Sequence, residues 1–230
     1  MNNLVWFTGA PGSKWSGVAN VLQSIKQLNF NISDRNDQRQ YQHVGPSKLS
    51  TKIFHTGAYF GPGHGLGEQF HVLENLATAE VERQITQEWG DPTYGNLLVK
   101  SHFFSESLDY IAHTWPTQPI IMIFRPNDRC ENGWFSAGGW NISYPNYRPY
   151  YKDDATMKQN IVKHNEKMLD FCKRKDIRLY DFTAEYLKNT FNWGVDDLAE
   201  SERQWVNNHL VHSQTMNDVQ IAIWNQAFFL

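Results

Sequence analysis

The residues best suited to chemistry in this chain are three cations and a histidine set in short polar clusters. Lys14 lies in Gly9-Ala-Pro-Gly-Ser-Lys-Trp-Ser16, Lys100 and His102 in Lys100-Ser-His102, and Arg125 in Arg125-Pro-Asn-Asp128. The first cluster follows four apolar residues, Leu4 to Phe7, enough for a short buried strand, and runs into a helix-like stretch from Gly17. Strand, tight glycine- and serine-rich loop and helix, in that order, can hold a phosphate or sulfate. Backbone N–H groups of the loop and first helical turn converge on the anion, and the helix dipole adds to them. The hydroxyls of Ser13 and Ser16 can donate, and Lys14 supplies a full charge. The loop is close to a Walker A motif without being one. Lys14 comes one residue early after Gly9, and Trp15 separates it from Ser16, so the magnesium-binding Lys-Ser/Thr pair is missing. The plainer reading is an ordinary strand-to-helix turn.

His102 has the chemistry of a general base, because imidazole titrates near neutral pH and can take a hydroxyl proton. Arg125 is a planar multi-donor group suited to a phosphate; its plainer role is to cap a strand end and pair with Asp128. Trp15 can stack on an adenine or pack in the core.

The elements that must position these groups follow from hydrophobic patterning. A first helix is expected from about Ser16 to Leu28, then a polar stretch, Asn29 to Lys52, read as surface loop or a short helix. Phe54 to Gly67, glycine-rich and interleaved with aromatics, is either a lid or a long irregular connection. Phe70, Leu73, Leu76, Val81, Ile85 and Trp89 predict an amphipathic helix over Glu68 to Glu88, ended by Gly90-Asp-Pro-Thr. Leu97 to Val99 and Pro119 to Phe124 read as buried strands. Ser105 is placed to cap a helix running to about His113, and another helix begins near Asp128 and passes through Phe135. Gly138 to Tyr151 is an aromatic- and proline-rich loop. A long helix spans about Ala155 to Lys175 with Met157, Ile161, Met168 and Cys172 as a core stripe. Ile177 to Phe182 is a fourth strand, helices from Thr183 break near Asn192-Trp-Gly194, and Val219 to Trp224 is a late strand. Strands separated by helices predict a single α/β domain over residues 1–230, with a mainly parallel sheet flanked by helices. Ligands of such sheets bind beyond the carboxyl ends of the strands, where all three clusters fall.

Composition narrows the function. A chain of 230 residues is most simply one domain. With 14% aromatic and 20% charged residues it has the make-up of a globular protein rather than a disordered one. A net charge of −3 gives no sign of a nucleic-acid-binding surface. The 2 cysteines, Cys130 and Cys172, are too few for a disulfide scaffold, and no apolar run approaches a membrane span. With no signal-peptide pattern at the N-terminus, a cytoplasmic protein is expected. His209-x-x-His212 lacks a nearby third ligand, and His64 and His71 have no metal-like partners, so no metal is expected.

The three clusters together resemble the motifs of sulfotransferases that use 3′-phosphoadenosine 5′-phosphosulfate (PAPS). That family carries a first loop of the type Pro-Lys-Ser-Gly-Thr-Thr-Trp, and its cytosolic branch has Lys-Thr-His at a strand end. A further strand ends in an Arg, with a Ser eight residues on for the cofactor's 3′-phosphate. Here Pro11-Gly-Ser-Lys-Trp-Ser-Gly17 looks like the first loop, Leu98-Val-Lys-Ser-His102 is similar to the second motif, and Ile120-Ile-Met-Ile-Phe-Arg125 to the third. The resemblance implies a P-loop NTPase-like fold and PAPS as cofactor, with the desulfated nucleotide (PAP) as product. Pro11, Gly12, Ser13, Lys14, Trp15 and Ser16 would lie at the 5′-phosphate, and Arg125 with Asn132 or Gly133 at the 3′-phosphate. His102 would be the base, Lys14 would meet the bridging oxygen, and Lys100 would be a second charge nearby. The chain departs from the family at Gly12, which stands for a cofactor-binding Lys, and at Gly133, which stands for the Ser; a C-terminal Arg-Lys-Gly segment is missing. The acceptor would be a small-molecule or glycan hydroxyl, met by the aromatic loops at Phe54 to Phe60 and Trp140 to Tyr151. Two other readings are an ATP-dependent P-loop phosphotransferase and a non-catalytic binding module derived from the same fold.

Overall fold

Strand β1 (Leu4–Gly9) is buried along its whole length and alternates its side chains between two cores. Leu4 and Trp6 enter one, Val5 and Phe7 the other, as the period of two in a strand requires. The strands beside it do the same, so each apolar run is wetted on neither face. The computed structural model describes residues 3–36, 39–44, 51–59, 70–136, 139–141, 151–192, 216 and 218–229, and of 40–44, 51–56, 70–72 and 141 the backbone alone.

One core layer is closed by α2 (Thr78–Trp89), α3 (Leu108–Thr114) and α5 (Asp154–Arg174), which contribute Ile85, Ile111, Phe171 and their neighbours. The other is closed by α1 (Trp15–Ser24) and α6 (Ala184–Phe191), through Val18, Leu22 and Leu187. A further helix, α4 (Asn127–Ser136), packs at the end of the sheet with Cys130 and Trp134 against Met157 and Ile161 of α5. The result is one α/β domain with helices on both faces of the sheet.

The sheet contains β4 (Leu97–Lys100), β5 (Ile120–Phe124), β6 (Tyr180–Asp181) and β7 (Gln220–Trp224) besides β1, in the order β4-β1-β5-β7-β6. β1 is parallel to β4, with Leu4 opposite Leu97 and Phe7 opposite Lys100, and parallel to β5, with Gly9 opposite Ile123. β7 runs antiparallel to both β5 and β6. The sheet is therefore mixed, which corrects the mainly parallel expectation. An apolar run such as Ile221-Ala-Ile223 pairs equally well in either direction; its direction is set by the end of the sheet at which the chain re-enters, and hydrophobic patterning does not record that.

Other boundaries shift for local reasons. The first helix ends at Ser24, whose hydroxyl donates back to the Val21 carbonyl at 2.7 Å, and Ile25 is extended before a 3-10 turn over Lys26–Leu28. The helix expected over Glu68 to Glu88 is a 3-10 turn, Phe70–Asn75, then α2, with extended backbone at Ala77 between them. The polar stretch read as surface loop or a short helix contains β2 (Gln40–Val44), paired antiparallel with β3 (Thr51–Thr56). The fourth strand shortens to Tyr180–Asp181, both exposed. No helix among the described residues is long and apolar enough to cross a membrane.

Candidate active site

Because β4, β1 and β5 are parallel neighbours, their carboxyl ends leave the same edge of the sheet. The loop after β1 therefore lies between the residues that follow β4 and those that follow β5. Lys14, His102 and Arg125, far apart in sequence, leave the sheet at one edge.

The loop turns at Ala10, whose carbonyl accepts from the Ser13 N–H at 3.0 Å. Gly12 and Lys14 both have left-handed backbone, with φ of 78° and 64°, and Lys14 is the residue that caps α1, its carbonyl accepting from the Gly17 and Val18 N–H groups. Gly12 is pressed on the backbone of α4: a Cβ there would stand 1.9 Å from the Cys130 carbonyl oxygen and 2.8 Å from the Trp134 nitrogen. Gly133 faces it from the helix, where a Cβ would stand 2.7 Å from the Gly12 carbonyl oxygen and 2.6 Å from Arg125 Nη1. The two glycines at which the chain departs from the sulfotransferase pattern thus share one close backbone contact, which excludes a side chain at either.

Arg125 fills the corner beside that contact. Its Nη1 donates to the carbonyls of Arg129 at 2.8 Å and Gly12 at 3.3 Å, and its Nε to Asp218 at 2.9 Å. The carboxylate partner is Asp218, not Asp128, which instead lies 3.9 Å from Arg129. Burial holds the half-buried Lys14 ammonium below its ordinary pKa; the Arg125 charge adds to this, and Asp218 opposes it. Pro11 is buried and Asn132 is exposed on α4. Ser13 Oγ is buried without a hydrogen-bond partner, turned toward Gly9, where a Cβ would come within 2.8 Å of it. Ser16 is half-buried on the first turn of α1.

The β4 side is more enclosed. His102, only 3% exposed, places its Nδ1 on the Gly9 carbonyl. Its ring lies 4.3 Å from that of Trp15 and 5.7 Å from that of Tyr59. Trp15 packs also on Phe7 and Tyr59, so its rings are used inside the core rather than offered to an adenine. Burial pushes His102 down to about 3 despite the Gly9 bond, and His164 lowers it further. The imidazole is neutral, and since a carbonyl only accepts, its proton sits on Nδ1 and the lone pair on Nε2.

Lys100 ends β4 opposite Phe7 of β1. Only 1% exposed, it is pushed down to about 8 by burial, opposed by Asp34 and assisted by Arg35. Asp34 also accepts from the Ala58 N–H at 2.7 Å, fixing the turn at Gly57 (φ 83°) that carries Tyr59 toward His102. Asp34 and Arg35 fall in the polar stretch that carried no motif, and nothing in its pattern marks them. His164 is different: it lies on the stripe of Met157, Ile161, Met168 and Cys172, a polar residue at a core position, and that was a readable signal. Ser105 does not cap a helix, since α3 starts at Leu108 with Ser107 before it; its hydroxyl meets the His102 carbonyl and His164 instead.

His64, His209 and His212, most of the Phe54 to Gly67 segment beyond Tyr59, and the loop from 142 to 150 lie outside the described residues, and of His71 only the backbone is described. Among the described residues no group of three His, Cys, Asp or Glu side chains is placed to hold a metal ion. Compared with protein-family models, curated proteins and solved structures, the chain matches none.

Proposed function

We propose that this chain is a PAPS-dependent sulfotransferase on a P-loop-like sheet, moving a sulfuryl group to the hydroxyl of a small-molecule or glycan acceptor. The observation that carries the reading is the direct contact between His102 and the loop: the Nδ1–H of the candidate base donates to Gly9, the last residue of β1 before the anion loop. A neutral imidazole with its lone pair on Nε2 is in the protonation state needed to remove a hydroxyl proton. The loop from Gly12 to Ser16 and the start of α1 suit the 5′-phosphate, with Ser13 Oγ a buried hydroxyl still lacking a partner.

Bound here, PAPS supplies an activated sulfuryl group and a bisphosphate leaving group. His102 Nε2 would accept the proton of the acceptor hydroxyl as its oxygen attacks; pushed down to about 3, the ring returns that proton readily but takes it less strongly than an imidazole titrating near neutral pH. Lys14 would set its ammonium against negative charge growing on the leaving oxygen, an electrostatic contribution. Arg125 keeps the two N–H groups of Nη2 for a 3′-phosphate, which would share the guanidinium with Asp218, because its Nε and Nη1 are engaged by protein oxygens.

The protein's hold on Nε and Nη1 favours a second reading, a binding module that keeps the sheet and does no chemistry. An ATP-dependent phosphotransferase is less well served, since Lys14 is turned into a left-handed cap and no hydroxyl follows it directly. Titration calorimetry with PAP and, separately, ATP with magnesium, followed by turnover of labelled PAPS over phenol and sugar acceptors, separates the three. Transfer of label supports the enzyme, PAP binding without transfer the module, and binding of ATP with magnesium alone the phosphotransferase.

A further inference from the structure

His164 lies in the middle of α5 and is only 1% exposed. Its Nδ1 meets Ser105 Oγ, and Ser105 Oγ lies 2.8 Å from the carbonyl oxygen of His102, which also accepts from the Thr8 hydroxyl at 3.3 Å. Ser105 has one proton and the carbonyl can only accept. Donation to the carbonyl leaves Oγ as the acceptor toward His164, so His164 carries its proton on Nδ1. Its Nε2 is then a buried lone pair, and it has no partner. Glu106 stands 3.9 Å from Nδ1, beyond hydrogen-bond range, and is held by Lys163 at 2.9 Å. The polar bond made by this ring is therefore the one to Ser105. An aliphatic side chain would avoid the orphaned Nε2, so what the imidazole contributes at this position is its Nδ1 donor.

We propose that His164 is a positioning residue for acid–base chemistry at His102. Through Ser105 it fixes the His102 carbonyl and, with it, the 3-10 turn His102–Glu106 in which β4 ends. That holds the His102 ring with Nδ1 on Gly9 and Nε2 turned to the acceptor hydroxyl. Without the relay, the carbonyl keeps the longer Thr8 bond and the backbone bond of the 3-10 turn, but loses the side-chain contact that limits how far the peptide carrying the His102 side chain can tilt. The proposal rests on the reading of His102 as the base, and its test is arranged to separate the two.

The test compares wild type with His164→Leu, Ser105→Ala and His164→Asn, the last keeping an N–H donor near the Nδ1 position. Long-range 1H–15N imidazole spectra report the His102 tautomer, and PAPS turnover reports kcat and KM. Wild type is expected to show both rings protonated at Nδ1 and neither titrating between about pH 5 and 8, since burial holds both far below the ordinary histidine value. His164→Leu and Ser105→Ala are expected to lose the single His102 tautomer and about 10- to 100-fold in kcat, with the nucleotide KM unchanged, as for a reacting group displaced by a fraction of an ångström. His164→Asn recovers most of both. A folded His164→Leu or Ser105→Ala protein that keeps the wild-type tautomer overturns the proposal, whether or not wild type turns over. Ser105→Ala removes a single oxygen and carries the test if the leucine variant does not fold. Tautomer loss in a protein whose wild type transfers nothing supports the positioning role and removes the reaction reading alone.

Discussion

The two sides of the loop after β1 are built on opposite plans. On the β4 side His102 is neutral, enclosed by Trp15 and Tyr59, and held at both ring and carbonyl by protein partners, with one nitrogen left for chemistry. On the β5 side Arg125 is charged and already shares its Nε and Nη1 with the Asp218 carboxylate and two carbonyls, leaving Nη2 to a ligand. One side holds its ring by protein contacts alone, and the other divides its donors between protein oxygens and open space. Burial explains the difference. A neutral imidazole costs little to enclose, whereas a guanidinium whose side chain is only 10% exposed must be met by oxygens.

Removing the proposed base is the strongest way to break this comparison. His102→Ala is expected to lower kcat for sulfuryl transfer about a thousandfold while PAP affinity by calorimetry stays within a factor of about two, the scale of a lost general base. Equal losses in both would place His102 in binding instead. Gly12→Ala tests the β5 side. A Cβ 1.9 Å from the Cys130 carbonyl oxygen, on backbone with φ of 78°, is expected to cost about 3 kcal/mol in urea unfolding. A loss below about 1 kcal/mol would mean that loop and helix separate easily enough to admit a ligand.

Acid unfolding sharpens the neutral side. His102 and His164 are both held down to about 3 by burial, while in the unfolded chain each titrates near 6.5. Between those values the unfolded state binds more protons, so stability is full above about pH 6.5 and falls as pH drops toward about 3, by about 1.4 kcal/mol per pH unit for each ring. His164→Asn should remove one ring's share of that slope, read from urea midpoints taken across the range. An unchanged slope would mean that His164 already charges in the folded state. The smallest effect concerns Asp218. Asp218→Asn is expected to tighten PAP binding about threefold to tenfold, about 1 kcal/mol, and to steepen its salt dependence, by freeing Arg125 of a partly exposed carboxylate. Weaker binding would show that Asp218 orients Arg125 for the ligand.

Much of the site's raw material was legible. The loop after β1, the strand ends at Lys100 and Phe124, and α5 all lie within a residue or two of where the pattern put them. What was not legible was the partners. Lys100 reads as a cation beside an anion loop, and the charges that act on it, Asp34 and Arg35, come from a stretch whose polarity suggested only a surface. Arg125 before Pro126 suggested Asp128, its neighbour in sequence. The carboxylate it meets belongs to the segment leading into β7, while Asp128 stands in the first turn of α4 beside Arg129.

By itself the sequence determined the local units: apolar runs long enough for strands buried on both faces, a glycine-rich turn able to enter a helix, and an amphipathic α5. These depend on backbone geometry and on side-chain periods of two and about 3.6, which neighbouring residues fix among themselves. Only the tertiary structure decided that β7 enters reversed between β5 and β6, that the hairpin β2–β3 forms, and that Asp218 closes on Arg125 and His164 on Ser105. Those last contacts join residues 93 and 59 positions apart. They come from where the chain returns after each crossover, and the whole core sets that return, because a single contact repays little of the entropy of closing so long a loop.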